Sequence, residues 1–415
     1  MAHRISWIAA LSLAAGLGLV QTAHAQDQAR PQLDVFAAHT PESQEKIDYS
    51  AFDDFMNDIV FDVGFSDRRR ASSEGPRQTG SRIVRGSRSP YRYEGNRLLA
   101  HLVDDERIEG VIAYRDELAV LPDQLDLSRL NRDEQLAYWL NLYTAAIVAE
   151  ILADYPVGNL AWPSPDSPRA LLNRHVVTVS GVDLSLNDIR LGIVGTYWDD
   201  PRVIYGFWHG AIGGPSLRAG AYDADRVWSQ LDRQAREFVN ALRGVEADTD
   251  VLHVSDIYFQ HRDLFPRWPE DLREHLRAHG SMTIDSILAR AEDGPEPIEF
   301  EWDAADLTNG TRCGSLGAAR PIISEGRNGF SFSGGCNVVP EIAVPLINRV
   351  LERRMDAFRN GELGRVIVRD ILTADPDEAS GEAPDGAYEA DEIDGQIILR
   401  RRPRSEETPS DDEES

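Results

Sequence analysis

The residues most able to do chemistry lie in a glycine-rich stretch, Val203–Tyr222, which reads VIYGFWHGAIGGPSLRAGAY. Its histidine, His209, changes charge near neutral pH and could therefore act as a general base or contact a ligand. The same side chain could equally fill space in a core and bond a backbone carbonyl. Gly213 and Gly214 predict a turn, with close approach to a ligand as their secondary role. The stretch is therefore either a site or a packed turn, and the sequence leaves both interpretations open.

A carboxylate that could share proton transfer with His209 is Glu134. Its position three residues after Asn131 is also that of a capping-box acid at the start of a helix, so both roles stay open. A serine nucleophile is not indicated. Ser216 lies in GPSLR, which lacks the G-x-S-x-G pattern of a nucleophile elbow.

The other candidate ligand contacts are polar, aromatic and glycine residues in the same two parts of the chain. Asn141 is expected to be a buried amide that organises adjacent loops, with a substrate contact as the alternative. Trp208 could stack on a sugar ring or pack in the core. The full set is Asn141, Tyr143, Trp208, Gly213, Gly214, Ser216 and Arg218.

The N-terminal residues 1–25 have the three parts of a secretory signal peptide. Arg4 gives a basic start, residues 5–20 form an apolar run, and Ala23-His24-Ala25 is a small-x-small site before Gln26. No later run approaches about 18 consecutive apolar residues, the length that indicates a membrane span. We therefore expect a periplasmic or secreted protein with no membrane span after cleavage.

The cysteines predict a disulfide in the C-terminal third of the chain. Cys313 and Cys336 are the only two, and an even number in an oxidising compartment favours pairing. The chain-entropy model gives such a cross-link about 3 kcal/mol of stabilisation. A zinc site is the weaker alternative, because two thiolates without CxxC spacing or a nearby histidine fall short of four ligands. We expect no metal and no cofactor.

The charge balance argues against nucleic acid as a partner. The chain has 70 acidic and 43 basic residues, for a formal net charge of −27 at pH 7, so its surface should repel phosphate backbones and anionic membranes. Residues 373–415 hold 15 of these acids and four arginines, which predicts a mostly disordered tail. The expected partner is an unidentified ligand, such as a peptide or a cell-wall component.

Hydrophobic periodicity predicts the elements that must position the candidate residues. The clearest helix runs from Arg132 to about Tyr155, with Asn131 as N-cap and Pro156 ending it. Val177–Leu184 alternates around Ser180-Gly181, which is the pattern of a β-hairpin. Val203–Phe207 is a strand candidate.

Further elements follow from the same patterns. Leu252–Phe259 reads as a strand or a strand leading into a helix. Glycine-punctuated short strands are expected within residues 319–337. The remaining helices are expected at Tyr49–Val60, at Leu98–Leu121 as one or two helices, from a cap at Asp223 to Gly244, and at Pro340–Asn360.

Helices and strands mix without regular βαβ alternation, so the expected fold class is α+β. We expect a helical N-terminal part packed on a small mixed sheet, with an accessory C-terminal segment tied by the disulfide. The expected organisation is a signal peptide (1–25), a linker (26–48), a main domain (49–295), the accessory segment (296–372) and the acidic tail (373–415).

The middle of the chain resembles the domain-of-unknown-function family 547. Four motifs occur in the family's order and at about its spacing: DEQLAYWLNLYTAAIVAEIL, VDLSLNDIRLGIV, DDPRVIYGFWHGAIGGPSLRAGAYDADRVWSQLDRQAREFVN and VLHVSDIYFQHRDLF. The most specific part is the Trp-x-Asn-Leu-Tyr core at Trp139–Tyr143. The resemblance covers roughly Arg129–Phe265, about a third of the chain.

The resemblance implies an exported protein of a largely uncharacterised group with a papain-like arrangement. Members typically carry a histidine shortly before a cysteine, which suggests a thiol hydrolase assisted by a glutamate, and Glu134 matches that glutamate. This sequence departs from the pattern at the other positions. Ile204 stands at the histidine position, His209 and Gly214 at the cysteine positions, and Arg190 and Leu191 at a further acid and histidine.

These departures lead to two hypotheses about function. Thiol catalysis needs a thiolate and a base within hydrogen-bond reach, and neither stands at the matching positions. The first hypothesis is therefore a non-catalytic binding or scaffold protein on a degenerate thiol-hydrolase-like fold. The second is a hydrolase or transferase with a remodelled site that uses His209 and a carboxylate such as Glu134.

We predict that the mature chain begins near Gln26 and lies outside the cytoplasm, because a three-part leader of this kind is removed on export. Mass spectrometry of the N-terminal peptide of the native protein, taken from separate cytoplasmic and exported fractions, checks this. An intact Met1 end in the cytoplasmic fraction would contradict it.

We also predict that Cys313 and Cys336 are bonded to each other in the exported protein. Thiol labelling under denaturing, non-reducing conditions should modify neither residue, whereas labelling after reduction should modify both. Two labelled cysteines before reduction would rule the bond out.

Overall fold

The computed structural model describes residues 30–72, 87–310, 343–359, 388–393 and 396–401. The expected signal peptide, the short strands expected within residues 319–337 and both cysteines, Cys313 and Cys336, lie outside these ranges. The chain divides into two compact units, Met1–Arg353 and Arg354–Ser415.

The first unit combines helices with small sheets. Its principal described helices, with the last one continuing past the end of the unit, are α1 Ser50–Ile59, α2 Asp105–Val120, α3 Arg132–Ala153, α4 Val227–Val239, α5 Asp256–Gln260, α6 Glu270–His279, α7 Met282–Arg290 and α8 Val344–Arg359. Its described strands are β1 Val60–Phe61, β2 Arg97–Leu98, β3 His175–Val179, β4 Val182–Ser185, β5 Val245–Asp248, β6 Val251–Ser255 and β7 Asp293–Ile298. The expected α+β class is confirmed.

Helix α3 is the centre of the core. The predicted N-cap is confirmed, because the Asn131 side chain accepts a 2.9 Å bond from the Glu134 amide. The helix is buried on all its faces and not only along the predicted apolar stripe, with 18 of its 22 residues buried. It is long and apolar enough to cross a membrane, but 89% of its apolar window is buried inside the protein. Its apolar composition is therefore explained by the core that surrounds it.

The predicted hairpin is confirmed as the antiparallel pair of β3 and β4, in which Val177 faces Leu184. Its two turn residues, Ser180 and Gly181, have φ angles of 49° and 77°, the left-handed region that two-residue hairpin turns require. A π-helical turn, Asp188–Val194, follows the hairpin.

The strand predicted at Val203–Phe207 is wrong. This part of the chain forms a 3-10 helix, Pro201–Gly206. The Asp200 side chain accepts a 2.9 Å bond from the Arg202 amide, and Pro201 supplies a backbone angle suited to a first helical turn.

The helix predicted from an Asp223 cap begins later than expected, at Val227. Asp223 instead closes a turn, because its carboxylate accepts a 2.9 Å bond from the Asp225 amide and its carbonyl accepts one of the same length from Arg226. The predicted strand-to-helix passage is confirmed where β6 runs into α5 through the Ser255 cap.

The predicted helix at Leu98–Leu121 begins later than expected. Leu98 lies in β2, and α2 starts after Asp104, whose side chain accepts a bond from Arg107. Gly110 does not interrupt this helix. The helices predicted near Tyr49–Val60 and Pro340–Asn360 are confirmed as α1 and α8.

Strands β5, β6 and β7 form the small mixed sheet, with β5 antiparallel and β7 parallel to β6. After β7 the chain crosses back over the core, where the Ala305 amide bonds the Gly210 carbonyl and the Leu307 amide bonds the Leu98 carbonyl. The beginning of the expected accessory segment, 296–310, therefore packs with the main core. A second apolar cluster joins Leu307 to α8 through Leu346 and Val350.

The second unit contains an antiparallel hairpin formed by β8 Tyr388–Ile393 and β9 Gln396–Arg401. This hairpin lies within the acidic tail, 373–415.

Candidate functional site

The loop that carries His209 is fixed between α3 and the returning segment 301–305. On the helix side, the Tyr143 hydroxyl donates a 2.9 Å bond to the Trp208 carbonyl. On the other side, the Ile212 amide bonds the Asp303 carbonyl at 2.8 Å and the Gly213 amide bonds the Glu301 carbonyl at 2.9 Å. The loop is therefore held along its length by backbone and side-chain bonds.

His209 is buried, with 3% of its surface exposed. Neither ring nitrogen has a hydrogen-bond partner among the described residues. The Phe300 ring lies edge-on to the imidazole, with 5.6 Å between ring centroids. The imidazole is therefore packed against an aromatic ring, and the described part of the chain offers no acceptor for its proton.

The electrostatic surroundings of His209 favour the neutral imidazole. Burial lowers the pKa of His209 well below its usual value, and the positive charge of Arg190 and the proximity of His261 lower it further. The pKa of His261 is likewise lowered well below normal, by burial and then by Arg190. Both rings are therefore uncharged at neutral pH.

Besides burial, Arg190 and His261 are the two groups whose charge lowers the pKa of His209, and we call these three residues the Arg190 cluster. The Arg190 guanidinium is buried and donates 2.8 Å bonds to the side-chain oxygens of Asn187 and Gln260. The Nε2 atom of His261 lies 3.3 Å from Nη1 of Arg190. The cluster thus contains a cation and two neutral imidazoles.

Glu134 lies at a different end of α3 from the residues around His209. Its carboxylate accepts a 3.1 Å bond from the Ile47 amide, and 2% of its surface is exposed. Burial raises the pKa of Glu134, while the Ile47 bond and the charge of Lys46 act in the opposite direction. Glu134 ties the segment before α1 to α3, and the structure does not bring its carboxylate to His209.

Asn141 and Tyr143 both act as buried clamps on backbone. The Asn141 amide donates to the Tyr222 carbonyl and accepts from the Tyr222 amide, each at 2.8 Å. The Tyr143 hydroxyl donates to the Trp208 carbonyl, and its ring packs edge-on to Phe207. Trp208 itself is buried in the core.

The glycines of the loop are needed for close packing. A Cβ atom on Gly213 would lie 2.5 Å from the Glu301 backbone nitrogen, and one on Gly214 would lie 2.8 Å from Nδ1 of His209. The imidazole of His209 therefore occupies the space that a side chain at position 214 would need.

Ser216 belongs to a separate buried network. Its hydroxyl donates to the Glu237 carboxylate at 2.9 Å and accepts from Arg243 and the Asn96 amide at 3.0 and 3.2 Å. Because its proton is committed to a carboxylate and it faces a guanidinium, Ser216 has a structural role in this network. Arg218 donates a 3.3 Å bond to the Ala221 carbonyl and lies over the Tyr222 ring.

The described residues contain no group of three or more histidine, cysteine, aspartate or glutamate side chains arranged to hold a metal ion. The Arg190 cluster would also repel a cation, because its guanidinium is buried beside the two imidazoles.

Sequence reasoning did not place His261 or Phe300 in the site, and it treated Arg190 only as a departure from the family pattern. The motif VLHVSDIYFQHRDLF contained His261, and an arginine inside an otherwise apolar helical segment was the available signal for a buried charge. The contact between Phe300 and His209 joins residues 91 positions apart, and no local pattern reveals it.

Residues 127–239 match a family model described as "Protein of unknown function, DUF547". The resemblance of the central segment to this family is thereby confirmed. No curated protein and no solved structure matches the chain.

We predict that Asn141→Ala destabilises the fold by about 2–4 kcal/mol, because it leaves the amide and carbonyl of Tyr222 buried without partners. Chemical denaturation of the variant measures the change. Asn57→Ala is the matched control on an exposed face of α1 and should shift stability by less than about 0.5 kcal/mol. Unchanged stability in Asn141→Ala would show that this amide is not a clamp and would favour a ligand contact.

Proposed function

We propose that this protein is an exported, non-catalytic binding or scaffold protein on a degenerate thiol-hydrolase-like fold. The observation that carries the proposal is the state of His209. At a position where the resembling family carries a cysteine, the chain has an imidazole that is buried, uncharged and without a proton acceptor among the described residues.

The chemistry of proton transfer supports this proposal. A general base works best with a pKa near the operating pH and must reach the proton that it abstracts, at about 2.6–3.2 Å. The pKa of His209 lies well below neutrality, and burial, the largest cause, is reinforced by the Arg190 charge. His209 would therefore be a weak base that a substrate cannot easily approach.

The separation of Glu134 from His209 weakens the second hypothesis, a remodelled hydrolase or transferase. Glu134 precedes Tyr143 by nine residues on α3, and it is Tyr143 that contacts the His209 loop. At 1.5 Å per residue, this spacing corresponds to about 13 Å along the helix axis. A carboxylate so placed, and already bonded to Ile47, is poorly positioned to share a proton with the imidazole.

The overall architecture of the first unit also supports the proposal. A largely helical core beside a small mixed sheet is compatible with the papain-like arrangement that the resemblance implies. In this interpretation, the loop between Gly206 and Ser216 keeps the course of an active-site loop, while its side chains have become packing groups and backbone clamps.

Export and surface charge narrow the expected ligand. The leader at residues 1–25 directs the chain out of the cytoplasm, and the disulfide between Cys313 and Cys336 would form there. An acidic surface disfavours nucleic acid. A peptide or a cell-wall component remains the ligand class that we propose.

We predict no thiol-dependent hydrolysis. Purified mature protein should not turn over peptide, ester or cell-wall substrates, with or without a thiol alkylator, because no thiol stands at the family positions. His209→Ala is the matched variant and should leave this background rate unchanged. The rates are measured against enzyme-free substrate by chromatography of the products.

Two outcomes would contradict the proposal. Activity abolished by the alkylator and by Cys313→Ala would place a thiol active site in the C-terminal segment. Activity that resists the alkylator but is lost in both His209→Ala and Glu134→Gln would favour the remodelled hydrolase or transferase.

A further inference from the structure

Trp162 is the most exposed large apolar side chain in the described part of the chain. Its side chain is 88% exposed, although tryptophan is highly buried on average in folded proteins. The residue lies in the connection between α3 and β3. An exposed aromatic ring marks a contact surface when the chain holds it in place and when it has apolar neighbours.

Hydrogen bonds hold the loop that carries Trp162 on both sides of the ring. Before it, the Leu160 amide donates a 2.8 Å bond to the Trp302 carbonyl. After it, the side-chain amide of Asn173 donates a 2.7 Å bond to the Pro165 carbonyl. The indole is therefore presented to solvent by a loop that is fixed to the rest of the first unit.

The neighbours of Trp162 on the returning segment are also aromatic. The Cα atom of Trp162 lies within about 7 Å of that of Leu160, because two residues span no more than this. Leu160 is in turn bonded to Trp302, whose half-buried ring lies 4.4 Å from that of Phe300 between centroids. We call the rings of Trp162, Phe300 and Trp302 the aromatic surface.

The aromatic surface borders the loop that carries His209. Phe300 lies edge-on to the imidazole, with 5.6 Å between ring centroids. Leu160 packs against Gly210, where a Cβ atom would lie 2.7 Å from the leucine Cδ1. The aromatic surface is therefore the outer, solvent-facing side of the candidate site.

The charge around the aromatic surface is negative. Residues 291–310 hold seven acids and no lysine, arginine or histidine. Glu299, Glu301 and Asp303 alternate with the two rings of this segment, so each carboxylate is next to a ring in the sequence. Neighbouring Cα atoms are about 3.8 Å apart, well inside the Debye length of about 8 Å at physiological ionic strength. The field of these carboxylates therefore reaches a group bound at the rings.

The same carboxylates repel one another. Burial raises the pKa of Glu301, and the negative charges of Asp303 and Glu299 act in the same direction. Asp303 accepts a 3.0 Å bond from the side chain of Asn159, which is a neutral group. A cation bound beside them would relieve this repulsion.

We propose that the aromatic surface binds a peptide segment that carries arginine or lysine, with the cation stacked on Trp162. A guanidinium or ammonium group is attracted to the face of a tryptophan ring, and both groups are donors without acceptors, which suits carboxylates. A neutral glycan would stack on the same rings but gain nothing from the surrounding charge, and an anionic ligand would be repelled. The inference rests on the proposed function, because it takes this place as a ligand site without catalysis and names the chemical class of its ligand.

The first test is isothermal titration calorimetry of the full mature protein with an acetylated and amidated peptide of alternating lysine and serine, six residues long. Trp162→Ala should raise the Kd at least about threefold, the loss expected for an exposed cation–π contact. Met282→Ala is the matched control, because it removes another apolar side chain, 86% exposed, at the start of α7, and its Kd should be unchanged. Equal affinity in both variants would show general charge attraction and overturn the proposal.

A second pair of variants tests the charge. Glu299→Gln should weaken binding of the same peptide about twofold, as expected for one exposed ion pair. Glu109→Gln removes the same charge from an exposed position on α2 and should leave the Kd unchanged. Equal weakening in the two variants would show an effect of net charge alone and would overturn the proposal.

Nuclear magnetic resonance of the indole groups locates the bound peptide. The indole N–H resonance of Trp162, identified by its absence from the spectrum of Trp162→Ala, should move with the same saturation curve as the calorimetry. Binding that leaves this resonance unmoved would place the peptide elsewhere and overturn the proposal.

A tetrasaccharide of N-acetylglucosamine is the neutral probe for the glycan alternative. It should bind more weakly than the peptide, because the carboxylates do not attract it. Tighter binding of the tetrasaccharide than of the peptide, lost in Trp162→Ala, would overturn the proposal and identify the aromatic surface as a glycan site.

The two proposals fail in different ways. Turnover of a substrate by a protein that still binds the cationic peptide through Trp162 would contradict the non-catalytic function and keep the surface. Absence of both turnover and peptide binding through Trp162 would contradict only the peptide surface.

Discussion

Burial of 18 of the 22 residues of α3 is the constraint on which the rest of the first unit depends. Its buried polar side chains must be satisfied inside the protein, because water does not reach them. The structure satisfies most of these side chains with the backbone of other segments, so each bond also fixes a segment to the helix. The bonds run from Glu134 to Ile47, from Gln135 to Ala38 and Leu127, from Tyr138 to Leu118, from Asn141 to Tyr222, and from Tyr143 to Trp208.

This set of bonds explains why the residues that looked most like a site lie where they do. Asn141 and Tyr143 fix the two ends of the loop region that contains His209, and segment 301–305 covers it from the other side. The same side chains that a catalytic loop would use for positioning are here fully engaged with backbone. Within this loop, the described side chain that is left without a hydrogen-bond partner is the buried imidazole of His209.

The sequence predicted those parts of the fold whose signals are local. The cap at Asn131 and the turn at Ser180-Gly181 each act within a few residues, and the elements that they begin or join are confirmed. The strand prediction at Val203–Phe207 was wrong because the periodicity of a short apolar run does not distinguish a strand from a buried helical turn. There the packing of Gly206 against Leu140, where a Cβ atom would lie 2.5 Å from the leucine Cδ2, shows that tertiary contact decided the outcome. The Arg190 cluster was beyond prediction because Arg190 and His261 meet only when the π-helical turn and α5 pack together.

The pairing of His209 with Gly214 shows how the chain accommodates its departure from the family pattern. The resemblance implies cysteines at these two positions, and here one holds a larger side chain and the other none. A Cβ atom at position 214 would lie 2.8 Å from Nδ1 of His209, so the glycine is required once the imidazole is present. Because protein interiors are close-packed, removing either member alone leaves a void or a clash. The two positions therefore behave as one packing unit. A single cysteine substitution at either of them would disturb the packing of this loop.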